Sequence, residues 1–579
     1  MNDSHNFLSE IQILFSLYDD FKITILGIIS IYFYLRKYIV NGYITAQQKF
    51  LFPDTPLALM PDRIHVASAR NSSAGIQILF ECPESTGSLT LEAKGFELEL
   101  YQMIDIPVEL NTGNGVDQGG AMTLLFDHCP DHAIRQAPFR VYDCLRPLAD
   151  SSIPAKNGRA AAYVCISPKA ETAPGSYSLQ LTVTAGRETH ICNIEYVLYA
   201  VSFEESRMQQ TNWFNLLSMA EKHGLEPWSP AHYDMIRAYA RTMRRAHQNV
   251  FCIWFRDIMK VSTDPWRFDF SALKPLIEIF MEEGFDTLET GSILSRGSLP
   301  DGTPNMYTNS FTCDAAPDIP VDSDQGYELL SCELRDFAQF LKEIHWDRKV
   351  LFHIMDEPDV HYKTEADLEA RRTQYFMAAN LVRRYIPNVQ TIEAVKTTKF
   401  RGGVDIMVPI TDGFQNHKEA FDTAISLGDP VWSYVCCGPE GMWLNRFLDQ
   451  PLVNGRLLFW GFALNQITGY LHWGYNQFHC TPDPFSCTRG KNDCGIGTDF
   501  PCGDAFIVYP GEEGPWISMR LEAERKGAEE ADLLCQLRER NPDEMERLVR
   551  QVFQRFDLYH NDPRDLEAVH EQLLQLLSR

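Results

Sequence analysis

From residue 206 onward, short apolar runs alternate with stretches of helical periodicity, and no other pattern limits the fold of this chain so tightly. The runs cover residues 212–215, 250–254, 287–290, 350–355, 391–395, 406–410, 431–436 and 469–475. Amphipathic segments lie between them. Ser229-Pro230 reads as a cap and first helical residue, followed by Met235, Ile236, Tyr239 and Met243 on one face. Thr364-Glu365-Ala366-Asp367 reads as a capping box ahead of Leu368, Phe376 and Ala379. Strands that alternate with helices build parallel sheets, and eight such units predict a (β/α)8 barrel of the TIM type. Only residues 396–405 separate the fifth and sixth runs, so the helix there is predicted to be short or missing.

Ahead of this region, residues 61–205 carry a β pattern. Tyr177, Leu179, Leu181 and Val183 alternate with Ser178, Gln180, Thr182 and Thr184, the period of a half-buried strand. Pro174-Gly175 opens that strand and Ala185-Gly186 closes it. Further strands are expected at 75–82, 88–100, 122–126, 159–166 and 189–200. Short strands separated by turns, without helices between, predict an antiparallel β-sandwich. The expected organisation is a leader over 1–60, a sandwich over 61–205, a barrel over 206–540 and a helical segment over 541–579. The charge runs at 520–530 and 543–555 read as solvated helix faces.

A net charge of -26 leaves no basic face for nucleic acid. The 15 cysteines are odd in number and scattered, which fits a reducing compartment better than a disulfide framework. Cys480, Cys487, Cys494 and Cys502 form a looser group without the paired spacing that zinc favours, so neither metal nor cofactor is expected. Residues 23–35 are mostly apolar but short for a membrane span, and the residues before them are acidic rather than basic. The expected location is cytoplasmic, with export or anchoring through residues 23–35 as the alternative, and membrane association is not expected.

The fourth run ends in two acids, Asp356-Glu357, followed by Pro358. Burying carboxylates is costly unless they are paired or used, and the C-terminal end of a barrel strand is where catalytic groups sit. The competing reading is a helix N-terminus, where acids are common. The seventh and eighth runs aim aromatic rings and an amide at the same rim: Trp432 and Tyr434, then Trp473, Tyr475 and Asn476. His353, three residues before Asp356, is expected to bind substrate together with these rings and the Asn476 amide. Acids and rings at one mouth suit a sugar, which needs hydrogen bonds and stacking. Glycoside hydrolysis usually takes two carboxylates, yet the seventh run ends Cys436-Cys437-Gly438-Pro439 with no acid before Glu440. A 2-acetamido sugar supplies its own nucleophile. Glu357 would then protonate the leaving oxygen and activate water, while Asp356 would orient the acetamide and stabilise the oxazolinium. Adjacent strand residues point to opposite sides, which would let the two acids reach different atoms of one sugar.

The segments HIMDEPDVHY, VWSYVCCGPEGMWLNRFLDQPLVNGRLLFW, GYLHWGYNQF and GDAFIVYPGEEGPWISMRLEAERKGAEEADLL together resemble glycoside hydrolase family 123. The resemblance spans roughly residues 60 to 540 and includes the turn APGSY at 173–177. It implies a β-sandwich followed by a catalytic barrel, removal of terminal β-linked N-acetylgalactosamine with retention, and substrate assistance. The family's Asp-Glu pair falls on Asp356 and Glu357, and its aromatic acetamide pocket on Trp432, Tyr434, Trp473 and Tyr475. The implied partners are oligosaccharide or glycolipid glycans ending in that sugar. The Cys-containing excursion at 480–502 and the first 50 residues depart from the family pattern. Two alternatives stand beside this reading: a two-carboxylate β-glycosidase that uses Glu440, and a non-catalytic glycan-binding barrel.

Overall fold

The computed structural model describes residues 40–115, 121–204, 207–346, 348–492, 494 and 497–579. The apolar stretch 23–35 lies outside them. Among the described residues no helix is long and apolar enough to cross a membrane.

Eight parallel strands frame the α/β region: β1 Gln209–Asn212, β2 Val250–Ile253, β3 Thr287–Thr290, β4 Lys349–Phe352, β5 Gln390–Val395, β6 Ile406–Pro409, β7 Ser433–Tyr434 and β8 Gly469–His472. They form a three-stranded ladder, β1-β8-β7, and a five-stranded ladder, β2 through β6. Isolated parallel bridges, Met407 with Val431 and Ile410 with Tyr434, link β6 to β7. Asn249 N donates to Gln210 O at 3.3 Å and links β1 to the start of β2. Inside-facing residues alternate along the strands, as a period of two requires. Val250 and Cys252, Ile392 and Ala394, Ile406 and Val408, and Trp432 and Tyr434 share one apolar cluster with Leu351, Leu471 and Trp213. Their neighbours Phe251, Ile253, Phe352 and Met407 belong to a different cluster, shared with the helices.

The helix caps fall where the sequence puts them. Ser229 accepts from His232 N at the start of Pro230–Arg245, and Thr364 forms a capping box with Asp367 at the start of Glu365–Tyr385. Only a single 3-10 turn, Thr398–Phe400, separates β5 from β6. The first strand is displaced from its predicted place: the ladder takes Gln209–Asn212, and the apolar Trp213 and Phe214 follow it. A polar strand is buried here with the side chains of Thr211 and Asn212 engaged. Asn212 Oδ1 accepts from Arg446 at 2.9 Å, and Thr211 donates to Glu289.

The strands of residues 41–198 join a 13-stranded sheet, except Asn111–Thr112 and Thr123–Leu124, which pair with each other. Most of its pairs are antiparallel, but Arg63–Ser68 runs parallel to Glu188–Leu198, so the sheet is mixed rather than the purely antiparallel arrangement expected. That pairing joins two strands separated by most of the region, where no hairpin dictates direction. Asn41–Thr45 pairs with Ala74–Glu81, so the sheet takes in residues ahead of 61. The strand expected at 88–100 is two strands, Thr86–Glu92 and Phe96–Val108, divided at Gly95 with φ 89°. The same sheet also receives Pro515–Ser518 from beyond β8, through Ile517 opposite Leu145 and Ser518 opposite Cys144.

Pro515–Ser518 leads into the helix Met519–Arg540, and here the sequence reading is overturned. Its charge run is no solvated face. Arg520, Glu522, Glu524, Arg525, Lys526, Glu529, Glu530 and Asp532 are all buried. Each sign meets its opposite across a different neighbour. Arg520 reaches Asp143 at 3.0 Å, Glu522 meets Arg245 at 3.0 Å, Glu524 meets Arg446 at 3.0 Å and Glu530 pairs with Arg456. Charge density alone reads as exposure; burial is tolerated because every charge is paired. The chain finishes with helices Pro542–Val549 and Pro563–Leu577. The four cysteines of the 480–502 excursion form no disulfide, and among the described residues no group of three or more His, Cys, Asp or Glu is placed to hold a metal ion.

Candidate active site

The acid pair sits beyond the end of β4, not on it. After Phe352 the chain leaves the ladder, and a carboxylate replaces the missing strand partner: Ile354 N and Met355 N both donate to Glu393 Oε2 at 3.0 Å. Asp356 N donates to Ser292 Oγ at 3.2 Å. Glu357 then adopts φ 50°, a left-handed conformation uncommon outside glycine. Arg296 Nη2 holds that turn by donating to Glu357 O at 2.7 Å. The different directions of the two acids therefore come from this bend rather than from strand alternation. The helix that follows starts at Glu365, so neither acid belongs to a helical first turn.

The loop after the pair is equally fixed. Asp359 accepts from Lys396 N, Thr397 N and Thr397 Oγ1, each at 2.8 Å. Arg371 is buried without a carboxylate partner and spends its guanidinium on the carbonyls of Met306, Thr308, Pro358, Val360 and His361. A functional side chain on a rigid loop keeps its aim.

Glu357 Oε1 accepts a hydrogen bond from the Tyr434 hydroxyl. Burial first, then the Glu357 charge, pushes that phenol well above its ordinary range, so it stays a donor. Burial also pushes the Asp356 carboxyl up to about 7, aided by the charges of Glu357 and Glu393 and opposed by His353 and Arg296. Two adjacent carboxyls at one mouth, one of them titrating near neutrality, form an acid–base pair.

Beneath them lies a buried relay that sequence reasoning missed. His353 Nε2 is 2.7 Å from Glu289 Oε1 and Nδ1 is 2.9 Å from Glu393 Oε1. Both acids are fully buried. Although burial opposes its charge, the two carboxylates, Glu393 foremost, raise the His353 pKa to about 10. Trp213 Nε1 donates to the same Glu289 Oε1 at 2.9 Å, and Tyr375 donates to Glu393 Oε2 at 3.0 Å.

The expected sugar-binding residues divide. Tyr434 touches Glu357. Trp473, the first residue after β8, is half-buried, donates to Asp504 Oδ2 at 3.1 Å and lies against Phe500. His353 has both ring nitrogens engaged by carboxylates and offers none to a ligand. Trp432 is buried two residues below Tyr434 on the same strand face and covers Gly469, the first residue of β8; it is floor packing. Tyr475 is buried against Tyr239 of the helix Pro230–Arg245, in the cluster shared with the helices. Asn476 ties the ends of β1 and β8 together, accepting from Asn215 N at 2.7 Å and donating to Asn215 O at 3.1 Å. Glu440 Oε2 lies between its own loop and the 111–115 segment, where a methyl group on Gly438 would sit 3.3 Å and one on Gly115 3.8 Å from it.

Trp254 was not anticipated. It is half-buried as the first residue after β2, packs edge-on to Trp213 at 5.4 Å and carries the Arg256 guanidinium over its ring at 4.7 Å. Its position closing the second apolar run was the signal available. Arg296 and Glu289 had no comparable signal, because only the fold brings them to the pair.

The family model for the glycoside hydrolase 123 catalytic domain matches residues 213–537. The chain belongs to glycoside hydrolase family 123. It is a glycosidase, as the acid pair and the resemblance implied. Among solved structures, a family 123 glycoside hydrolase from Clostridium perfringens is similar with a TM-score of 0.68 and 14% identity, covering 93% of this chain and 97% of that one. At that identity the likeness shows the shared fold, a strand-rich region followed by an α/β region. A GH10 xylanase from termite gut is far less similar, with a TM-score of 0.32 and 12% identity over 64% of this chain and 90% of that one. A β-galactosidase from Marinomonas ef1 has a TM-score of 0.36 and 10% identity over 58% of this chain and 62% of that one. Neither bears on the family 123 site. No curated protein matches the chain.

Proposed function

We propose that this family 123 enzyme is a retaining exo-β-N-acetylgalactosaminidase that works by substrate assistance. One observation carries the reading: Glu357, next to Asp356, meets Tyr434 across the mouth, while the β7 end supplies two thiols and no carboxylate. A two-carboxylate mechanism needs a second acid facing the first across the bond, and the nearest one in sequence, Glu440, lies between Gly438 and Gly115. The sugar's acetamide oxygen then attacks the anomeric carbon as Glu357 protonates the leaving oxygen. Asp356 accepts the acetamide N–H and balances the charge of the oxazolinium. Water, deprotonated by Glu357, opens that ring with net retention.

At the fold scale the reading has the eight strands closing as a barrel, supported by the bridges between β6 and β7 and the Asn249–Gln210 bond. The sandwich reading of the first region is supported by an apolar cluster that draws on Ile76, Ile78 and Val164 from one part of the sheet and Leu179, Leu181 and Ile194 from another. Trp254 and Trp473 flank the acids as stacking surfaces for the sugar. The Clostridium perfringens relative is described as hydrolysing glycolipid glycans. By analogy, the substrates here are oligosaccharide or glycolipid glycans with a terminal β-linked N-acetylgalactosamine.

The test is an assay of para-nitrophenyl β-N-acetylgalactosaminide against the matching β-galactoside and β-N-acetylglucosaminide, with a thiazoline inhibitor. Turnover of the acetamido sugars alone, with inhibition, is expected; equal cleavage of the β-galactoside would overturn substrate assistance. Glu357→Gln and Asp356→Asn should each lower kcat by about 10²–10⁴-fold.

A further inference from the structure

The relay Glu289–His353–Glu393 binds no substrate, yet it lies directly under the acid pair. We propose that it is a positioning device for the reaction: it clamps the backbone that carries Asp356, and its fixed charges dictate which form Asp356 takes. This inference rests on the catalytic role assigned to Asp356 above.

The clamp is visible in bond counts. Glu393 alone holds His353 Nδ1, Ile354 N, Met355 N and the Tyr375 hydroxyl. Those two amides belong to the segment where β4 has lost its ladder. With the carboxylate gone, the amides of Ile354 and Met355 would lose the hydrogen bonds that hold them, and the carboxyls would lose their aim. Glu289 completes the frame from β3, fixed by Thr211, Trp213 and His353.

The charge argument follows from the same geometry. Two buried carboxylates and one imidazolium leave one net negative charge beside Asp356. The other groups facing Asp356 are Glu357 on its own segment, Arg296 from the loop after β3, Tyr434 from β7 and Cys252 from β2. The phenol and the thiol are held neutral by burial, so they add no opposing charge. Removing the imidazolium would strengthen the negative field on Asp356, and removing a relay carboxylate would weaken it. Charges at this range shift a neighbour by about 1–3 pH units.

The deciding experiment compares the pH dependence of kcat/KM for His353→Gln and Glu393→Gln in the full chain. The limb that belongs to Asp356 should move up by about 1 pH unit in His353→Gln and down by about 1 in Glu393→Gln. Opposite displacements are something a purely structural residue would not produce. Both variants losing rate with the limb unmoved, or moved in one direction, would overturn the proposal. Should Glu393→Gln fail to fold, Glu289→Gln is expected to move the limb in the same downward sense, with the opposite result counting against the idea. An infrared carboxyl titration of the unliganded protein, with Asp356→Asn to assign the band, reads the same displacement without turnover. That keeps a failure of the relay distinguishable from a failure of the substrate assignment.

Discussion

Asp356 is a case of function set against stability at a single residue. Its carboxyl is held up to about 7, first by burial, whereas in an unfolded chain it would titrate from its ordinary value of 3.8. A carboxyl with a raised folded pKa binds its proton more tightly when folded. Its destabilising contribution is therefore absent below about pH 4, grows between about 4 and 7, and is complete above that. Asp356→Asn should consequently raise Tm by a few degrees at pH 8 while sharply lowering turnover, and the gain should vanish at pH 4. Thermal unfolding of both proteins across that range is the check, and a gain that ignores pH would refute the assignment. The acid pair itself was legible, because two carboxylates closing an apolar run are costly anywhere but at a site. The bend that separates them was not, since nothing in a local pattern announces a left-handed glutamate. His353 shows the opposite failure: a polar residue at a strand end was read as facing a ligand, and its partners, 64 and 40 residues away in sequence, decided otherwise.

At the scale of elements, the helix Met519–Arg540 taught the most. Periodic burial marks a helix with one wet face; this helix is surrounded by protein, and its charges were mistaken for a surface. Arg456 illustrates what they do. It is fully buried, bonded to Glu530 through Nε at 2.7 Å and to Glu567 at 2.5 Å, while Trp460 donates to the same Glu530 at 2.7 Å. Arg456→Met should cost about 3–5 kcal/mol, because it strands Glu530 without its cation. Changing both, in Arg456→Met with Glu530→Leu, should recover much of that loss, and denaturant unfolding of the two variants would reveal it. Equal losses in the single and double variants would mean that packing, not charge, sets the cost. The strands were read more reliably than this helix. All eight runs overlap a ladder strand, the first by Asn212 alone, and period two survives in the sequence. The first run slipped because its buried strand is polar, and hydrophobicity cannot see a hydrogen-bonded strand.

At the scale of the molecule, the two regions are joined by more than a linker. Pro515–Ser518 extends the N-terminal sheet, Asp143 of that sheet anchors Arg520, and Asp449 of the α/β region accepts from Thr112 N at 2.7 Å. Residues 207–579 produced alone would leave Asp449 without Thr112 and Arg520 without Asp143, and would expose the edge of Pro515–Ser518. They should be insoluble or aggregated, whereas the full chain should unfold in one transition; size-exclusion chromatography and calorimetry would report both. A soluble, active 207–579 fragment would contradict this. The sequence resolved the order of the two regions and the alternation within the second. It did not resolve the parallel pairing of Arg63–Ser68 or the shared sheet, because both join residues too far apart for any local period to register.

The strand that crosses from one region to the other also has a bearing on descent. Ile517 and Ser518 lie opposite Leu145 and Cys144, and two residues later Arg520 takes up Asp143. A substitution on either side of that seam alters the fit of the other. Relatives of this enzyme should therefore have inherited the strand-rich region and the glycosidase together, exchanging neither for an unrelated neighbour, and changes at 143 should be accompanied by changes at 520.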